Sequence, residues 1–262
     1  MIRHVSFLCT SLLMLICCAL PAHATTACSY DFTTGSGNTY LSYCVTVNGN
    51  ILEIVTPFGQ SMLGANGEGY GLCDQNAPLN YTDYGVSDTG NWGNSTVLSH
   101  SLTAVKIART TADGHWTLTQ TITKVPATSS IKVVMALKNN QAVSDVAYLV
   151  RFADAEPATT DLDVWLGGLN SAIVRPFQKD DPNYGLQIAN AGVLQFSYWQ
   201  GFAQSINTGP NACAFAFNEG KGGGFSNYWS NGFGGPGSIE MAYAGTIGAG
   251  LTKTVTLSYH GL

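Results

Sequence analysis

The feature that most limits what this chain can fold into is a strict alternation of residue types over short runs. Ile131, Val133, Met135 and Leu137 alternate with Lys132, Val134, Ala136 and Lys138, the period of two that turns one face of a strand to a core and the other to water. Val146, Tyr148, Val150 and Phe152 repeat it. Asn139, Asn140 and Gln141 lie between the runs and tolerate turn angles, so the two are expected to pair as an antiparallel hairpin.

A second hairpin is written around Asp113-Gly114. With that dipeptide central to the turn, Thr111 falls opposite Trp116, Arg109 opposite Leu118, Ile107 opposite Gln120 and Val105 opposite Ile122. The register gathers Val105, Ile107, Trp116, Leu118 and Ile122 on one face and Lys106, Ala108, Thr117, Thr119 and Thr121 on the other. A slip of one residue would mix the two sets.

Further strands are expected at residues 39–47 and 51–56, joined across Asn48-Gly49-Asn50, and at 171–174, 185–189, 193–199, 212–217, 238–244 and 253–260. Residues 59–92 are rich in glycine and tyrosine and are read as long surface loops with one short strand at 70–73. Charged residues make up only 10% of the chain, no internal repeat is found, and no amphipathic helix is seen. The expected fold is all-β: a large antiparallel two-sheet β-sandwich forming one domain over residues 25–262.

Residues 1–24 read as a cleaved export signal, with Arg3 before an uncharged apolar run and Ala22-His23-Ala24 after it. No later stretch has the roughly 18 apolar residues of a membrane span. The expectation is therefore a secreted or periplasmic protein. Loss of Arg3 takes the formal net charge below the −5 of the full chain, which argues against a nucleic-acid partner. Four cysteines follow the signal: Cys28, Cys44, Cys73 and Cys213. An even number in an exported chain points to two disulfides, expected as Cys28–Cys44 and Cys73–Cys213. Zinc is the lesser reading, because close C-x-x-C pairs are absent.

The segments VKIARTTADGHWTLTQTITK, IKVVMALKNN and VAYLVRFADAE resemble, in their order of strands and turns, the galactose-mutarotase-like sandwich and exported bacterial all-β proteins of unknown function. The resemblance covers the central third of the chain. It implies a supersandwich fold and carries over no catalytic residue.

Asp154, Glu156, Asp161 and Asp163 form the densest acidic run. Carboxylates in such a loop suit calcium, the one cofactor entertained, although EF-hand spacing is absent. Two of them would also serve acid–base glycoside chemistry. The H-E-x-x-H and G-x-S-x-G motifs are absent, and Gly220–Gly224 lacks phosphate-loop order. Arg109 and Arg151 sit among apolar strand neighbours and are read as structural ion-pair partners. The aromatics of the glycine-rich stretches, Tyr70, Tyr84, Trp92, Trp199, Tyr228 and Trp229, suit the C–H faces of sugars or else plug the ends of the sandwich. Two functions follow. One is a non-enzymatic protein binding a glycan or another envelope component through its glycine-aromatic loops. The other is a carbohydrate-active enzyme (hydrolase, lyase or epimerase) with a groove on one sheet.

Thiol titration of the unfolded, unreduced mature protein is expected to find no free cysteine, and peptide mapping to find the two links. Reduction should cost about 3 kcal/mol for the shorter loop alone. Four free thiols, or a link from Cys28 to Cys73, would overturn the pairing.

Overall fold

The computed structural model describes residues 27–55, 59, 61–77, 79–85, 87–88, 90–157, 163–176, 185–204, 209–217, 232–234 and 237–262. The export signal at 1–24, Asp161, Tyr228 and Trp229 lie outside the described residues. In chain order the elements are β1 (Tyr30–Thr34), β2 (Leu41–Val45), β3 (Ile51–Val55), β4 (Leu63–Asp74), β5 (Asn80–Tyr84), β6 (Ser87–Asp88), β7 (Thr96–His100), β8 (Ala104–Thr110) and β9 (Trp116–Val125). They continue as β10 (Ser130–Asn139), β11 (Asp145–Ala155), β12 (Asp163–Gly167), β13 (Ser171–Pro176), β14 (Leu186–Asn190), β15 (Tyr198–Gln204), a short helix α1 (Ala212–Phe217), β16 (Gly232–Gly234), β17 (Gly237–Ile247) and β18 (Thr252–Gly261).

Two large antiparallel sheets face each other. One has nine strands in the order β16-β12-β13-β14-β18-β10-β9-β8-β7, the other six in the order β15-β17-β11-β4-β5-β6, and β1-β2-β3 form a small third sheet. The inward faces are those the alternation marks. Val105, Ile107, Trp116, Leu118 and Ile122 are buried, as are Ile131, Val133, Met135 and Leu137, and in the last two strands Ile239, Met241, Tyr243, Val255, Leu257 and Tyr259. The Asp113-Gly114 hairpin has its expected register, Val105 opposite Ile122 and Arg109 opposite Leu118.

Residues 131–137 and 146–152 do not pair with each other. β10 lies between β9 and β18 in the nine-stranded sheet, whereas β11 lies between β4 and β17 in the six-stranded sheet. The asparagine run makes an arch between sheets instead of a hairpin: the Asn139 amide donates to the Val143 carbonyl at 2.8 Å and to the Ile247 carbonyl at 2.9 Å, which pins the crossing. β11 is buried on both faces, so it needs a strand on each side and a layer above and below. Its second face carries Tyr148 and Val150 against Cys73, Cys213 and Ala212 of α1.

Three other expectations are corrected. The stretch read as loops contains the 12-residue β4, with β5 and β6 beside it. Residues 212–217 form α1 and not a strand. The strand placed at 193–199 begins at Tyr198. Cys28 and Cys44 stand 5.6 Å apart at Cα, and Cys73 and Cys213 4.9 Å apart, each pair joined as a disulfide. The second link ties α1 to the six-stranded sheet. Two disulfides fit an oxidising compartment. No helix among the described residues is long and apolar enough to cross a membrane.

The interior between the sheets is partly polar. Arg151 of β11 and Glu68 of β4 are both fully buried and form a bidentate pair: Nε donates to Oε1, and Nη2 donates to Oε2 at 2.7 Å. Tyr259 of β18 donates to Glu68 Oε1 at 2.7 Å, and the Ile51 amide to Oε2 at 2.7 Å. Arg151 also donates to Gln120 Oε1 of β9 and, at 3.0 Å, to the Gly49 carbonyl. The β2–β3 turn thus reaches between the two sheets as a plug. Gly49 has φ +89°, and a Cβ there would lie 2.6 Å from the Gln120 amide nitrogen, so glycine is required. Beside it Arg109 donates to Asp83, to Asp88 at 3.0 Å and to the Tyr70 hydroxyl at 3.1 Å, while Asn48 and Asn50 donate to Asp83.

Removing one partner of a fully buried pair leaves the other charge uncompensated. Glu68→Gln is therefore expected to cost about 3–5 kcal/mol of stability, against less than about 0.5 kcal/mol for Lys132→Gln on the exposed sheet face. Urea denaturation measures both, and an unchanged midpoint for Glu68→Gln would remove the pair from its structural role.

Candidate functional site

Among the described residues, the aromatics singled out from the sequence do not gather on one exposed surface. Tyr70 is fully buried and donates to the Asn48 carbonyl at 2.9 Å. Trp92 is 5% exposed and packs 5.4 Å from the Tyr70 ring and 5.9 Å from the Tyr81 ring, with the Arg109 guanidinium 5.7 Å from its own ring centroid. Both are interior plugs of the sandwich and not surface platforms. Tyr84 lies half-buried, edge-on to Phe152 at 6.0 Å. Trp199 lies half-buried on the edge strand β15, and its indole donates to Asn170 at 2.9 Å.

The acidic run behaves differently. Where β11 ends and the chain crosses to β12, Asp154, Glu156 and Asp163 meet at one end of the sandwich. β4 bulges there: Ala153 pairs with Glu68 and Ala155 with Leu63, leaving residues 64–67 to fold over Asp154. The Asn66 amide donates to Asp154 Oδ2 at 2.9 Å. A Cβ on Gly64 would lie 2.6 Å from Glu156 Oε1 and 2.8 Å from Asp154 Oδ2, so both carboxylates flank the same point of β4. Asp163 opens β12, and Trp165, two residues on and on the same face, lays its indole against Gly237. β16 pairs with β12 at Asp163 and Trp165. The glycine-aromatic segment thus enters the described structure beside this cluster.

Its electrostatics are those of acids with too little water and too few donors. Asp154 is fully buried and Asp163 is 3% exposed, yet among the described residues Oδ1 of each lacks a hydrogen-bond partner, as does the indole nitrogen of the buried Trp165. Burial, and then the neighbouring Glu156 charge, push Asp163 up to about 7. Burial raises Asp154 also, against the pull of Asn66, and burial with the Asp154 charge raises Glu156. Each unpartnered buried polar atom costs about 1–3 kcal/mol. The two unpartnered acceptors suit a ligand that donates hydrogen bonds, as hydroxyl groups do; the Trp165 N–H faces the other way, onto the core side of β11 at Gly237.

The calcium expectation fares less well on geometry. Among the described residues, the one group of three ligand atoms lying within 4.8 Å of one another is Cys28, Asp31 and Cys44, whose sulfurs are already joined as a disulfide. Nor would a cation satisfy the Trp165 N–H.

The fold is a galactose-mutarotase-like sandwich. A bacterial glucoamylase in complex with acarbose superposes with a TM-score of 0.57 at 9% identity, over 90% of this chain and 33% of that one. A galactose mutarotase-like protein from Lactobacillus casei ATCC 334 does so with a TM-score of 0.50 at 8% identity, over 89% of this chain and 100% of that one. A putative aldose 1-epimerase from Escherichia coli K12 follows at 0.48 and 10% identity, over 89% and 99%. The chain spans about a third of the glucoamylase. Identities this low establish the fold and not the activity. No protein-family model matches the sequence, and the curated proteins contain no significant match.

Asp163 gives the site a pH signature. In the unfolded chain an aspartate titrates near 3.9, so between about pH 4 and 7 the folded state binds more protons than the unfolded one, and stability falls as pH rises through that window. The loss should reach about 2–4 kcal/mol by pH 8. Asp163→Asn should flatten this limb and stabilise the protein at pH 8, read by urea denaturation at pH 5 and pH 8. An unchanged pH profile would show that Asp163 ionises freely in the fold.

Proposed function

We propose that this protein is an exported β-sandwich that binds a glycan at the end of the fold where Asp154, Glu156 and Asp163 stand. The observation that carries the reading is the pair of buried carboxylate oxygens, Oδ1 of Asp154 and of Asp163, without partners among the described residues. Sugar hydroxyls donate to such oxygens. The carbohydrate-active proteins of the same fold support the ligand class.

One observation favours catalysis as a second reading. Asp163, held at about 7 beside Glu156, would be an acid still partly protonated at neutral pH next to a carboxylate. Binding and catalysis are separated by what happens to the sugar.

The test is a glycan array with the mature protein, followed by calorimetry on any sugar bound, alongside the double variant Asp154→Asn, Asp163→Asn with its fold checked by circular dichroism. Binding should weaken by about tenfold or more in the variant, one lost charge-assisted contact being worth that much. Cleavage or anomeric conversion of the bound sugar, abolished by Asp163→Asn alone, would replace the binding reading with the enzymatic one. Binding that needs added calcium would return the cluster to metal chemistry, and no sugar bound above background would overturn the proposal.

A further inference from the structure

The two large sheets divide the charge of the molecule between them. Seven consecutive neighbours of the nine-stranded sheet, β13, β14, β18, β10, β9, β8 and β7, contain no aspartate or glutamate. This happens in a chain with 16 acidic and 11 basic residues. Every lysine among the described residues, Lys106, Lys124, Lys132, Lys138 and Lys253, stands on that same sheet. Seven described acids, Glu68, Asp74, Asp83, Asp88, Asp145, Asp154 and Glu240, sit instead on the six-stranded sheet, and Asp163 of β12 is the acid the nine-stranded sheet carries in its described strands.

Three of the lysines point outward. Lys106, Lys132 and Lys138 alternate with buried residues of β8 and β10 and are exposed. None of the three is in an ion pair with a carboxylate among the described residues. The register fixes their layout. Lys106 is opposite Thr121, Thr121 opposite Val134, and Val134 opposite Thr256, so Lys106 falls between the levels of Lys132 and Lys138. Lys132 and Lys138 are six residues apart on one strand, about 20 Å, and Lys106 stands two strands away, about 10 Å. Between them the face carries the hydroxyls of Thr119, Thr121 and Thr123 of β9, and on the other side of β10 those of Thr254 and Thr256 of β18. The exposed Leu98 and Leu102 stand at the β7 edge of this surface.

We propose that the outer face of β8, β9, β10 and β18 docks an anionic polysaccharide, a chain with a carboxylate on its sugar rings, laid across Lys106, Lys132 and Lys138. Charge selects this occupant: a face carrying lysines and no carboxylate attracts a polyanion. The spacing selects an extended one. Lysines set apart by about a Debye length or more at physiological salt act singly and cannot converge on one compact anion such as phosphate. The hydroxyl row of β9 between the lysines suits a sugar, since threonine hydroxyls exchange hydrogen bonds with sugar hydroxyls. This face is separate from the acidic end of the sandwich and does not rest on the glycan reading given there.

The test is binding of the mature protein to polygalacturonate by calorimetry at several salt concentrations, with fully methyl-esterified polygalacturonate as the uncharged polymer of the same backbone. The protein should bind the acid form, progressively more weakly as salt rises. The triple variant Lys106→Gln, Lys132→Gln, Lys138→Gln should lose about tenfold or more at low salt. Asp154→Asn, Asp163→Asn should bind polygalacturonate as the parent does, which separates this surface from the site at the end of the sandwich. Equal binding by the triple variant, equal binding of the esterified polymer, or no binding of either would overturn the proposal. Stronger binding to phosphatidylglycerol vesicles than to polygalacturonate would reassign the face to a membrane surface.

Discussion

Everything between the sheets is arranged around the guanidinium of Arg151. A full charge with no exposure to water is tolerable only if every N–H finds an acceptor and the counter-charge is in bidentate contact. Glu68 supplies the counter-charge, and its oxygens take donors from Arg151, Tyr259 and the Ile51 amide. Gln120 and the Gly49 carbonyl accept two further N–H groups of the guanidinium. Those partners come from both large sheets and from the small one. A hydrophobic core tolerates sliding, whereas this set of bonds closes only with β4, β9, β11, β18 and the β2–β3 turn in one relative placement. The apolar contacts supply most of the stability, and the ion pair fixes which packing of the sheets obtains.

The same constraint explains the N-terminal hairpin. Asn48, Gly49 and Asn50 are polar residues at the tip of a turn, where solvent exposure is the ordinary expectation. Here they are buried because the interior needs acceptors for Arg151 and donors for Asp83. The disulfide between Cys28 and Cys44 holds the strand that leads to this turn.

The parts of the fold legible in the sequence were those where one face is wet. β8, β9, β10 and β18 alternate cleanly because their outer faces carry Lys and Thr, so their inward residues and the Asp113-Gly114 register could be read directly. β11 is dry on both sides. Alternation there reports nothing about partners, which is why residues 131–137 and 146–152 looked like a hairpin and instead belong to different sheets. β4 was hidden by its glycines. Gly71 has no room for a side chain because the Pro210 carbonyl, at the approach to α1, lies against it, a long-range contact that no local pattern announces. ACAFAF was misread for a related reason, since alternating small and large residues suit a strand, while the tie from Cys213 to Cys73 and the packing on Tyr148 and Val150 settle the segment as a helix. Of the candidate site, the acidic run was visible as composition. That Asp154, Glu156 and Asp163 meet was not, because the contact depends on the bulge in β4, and Trp165 drew no notice because it stands alone in an ordinary strand.

β11 joins the two polar regions, and its geometry shows why one is satisfied within the fold and the other is not among the described residues. Arg151 and Asp154 are three residues apart, so they point to opposite faces of the strand. On the inner face the two neighbouring sheets and the plug turn surround Arg151 and supply Glu68 with a donor for each demand. On the other face, past the last paired residue of β11, the chain leaves for β12 and the neighbouring strand bulges away. Burial there is as complete for Asp154 as for Glu68, but only the Asn66 amide reaches it, and one oxygen remains without a donor. Equal burial with unequal satisfaction is the physical difference between a charge that holds the fold together and one left short of a donor among the described residues.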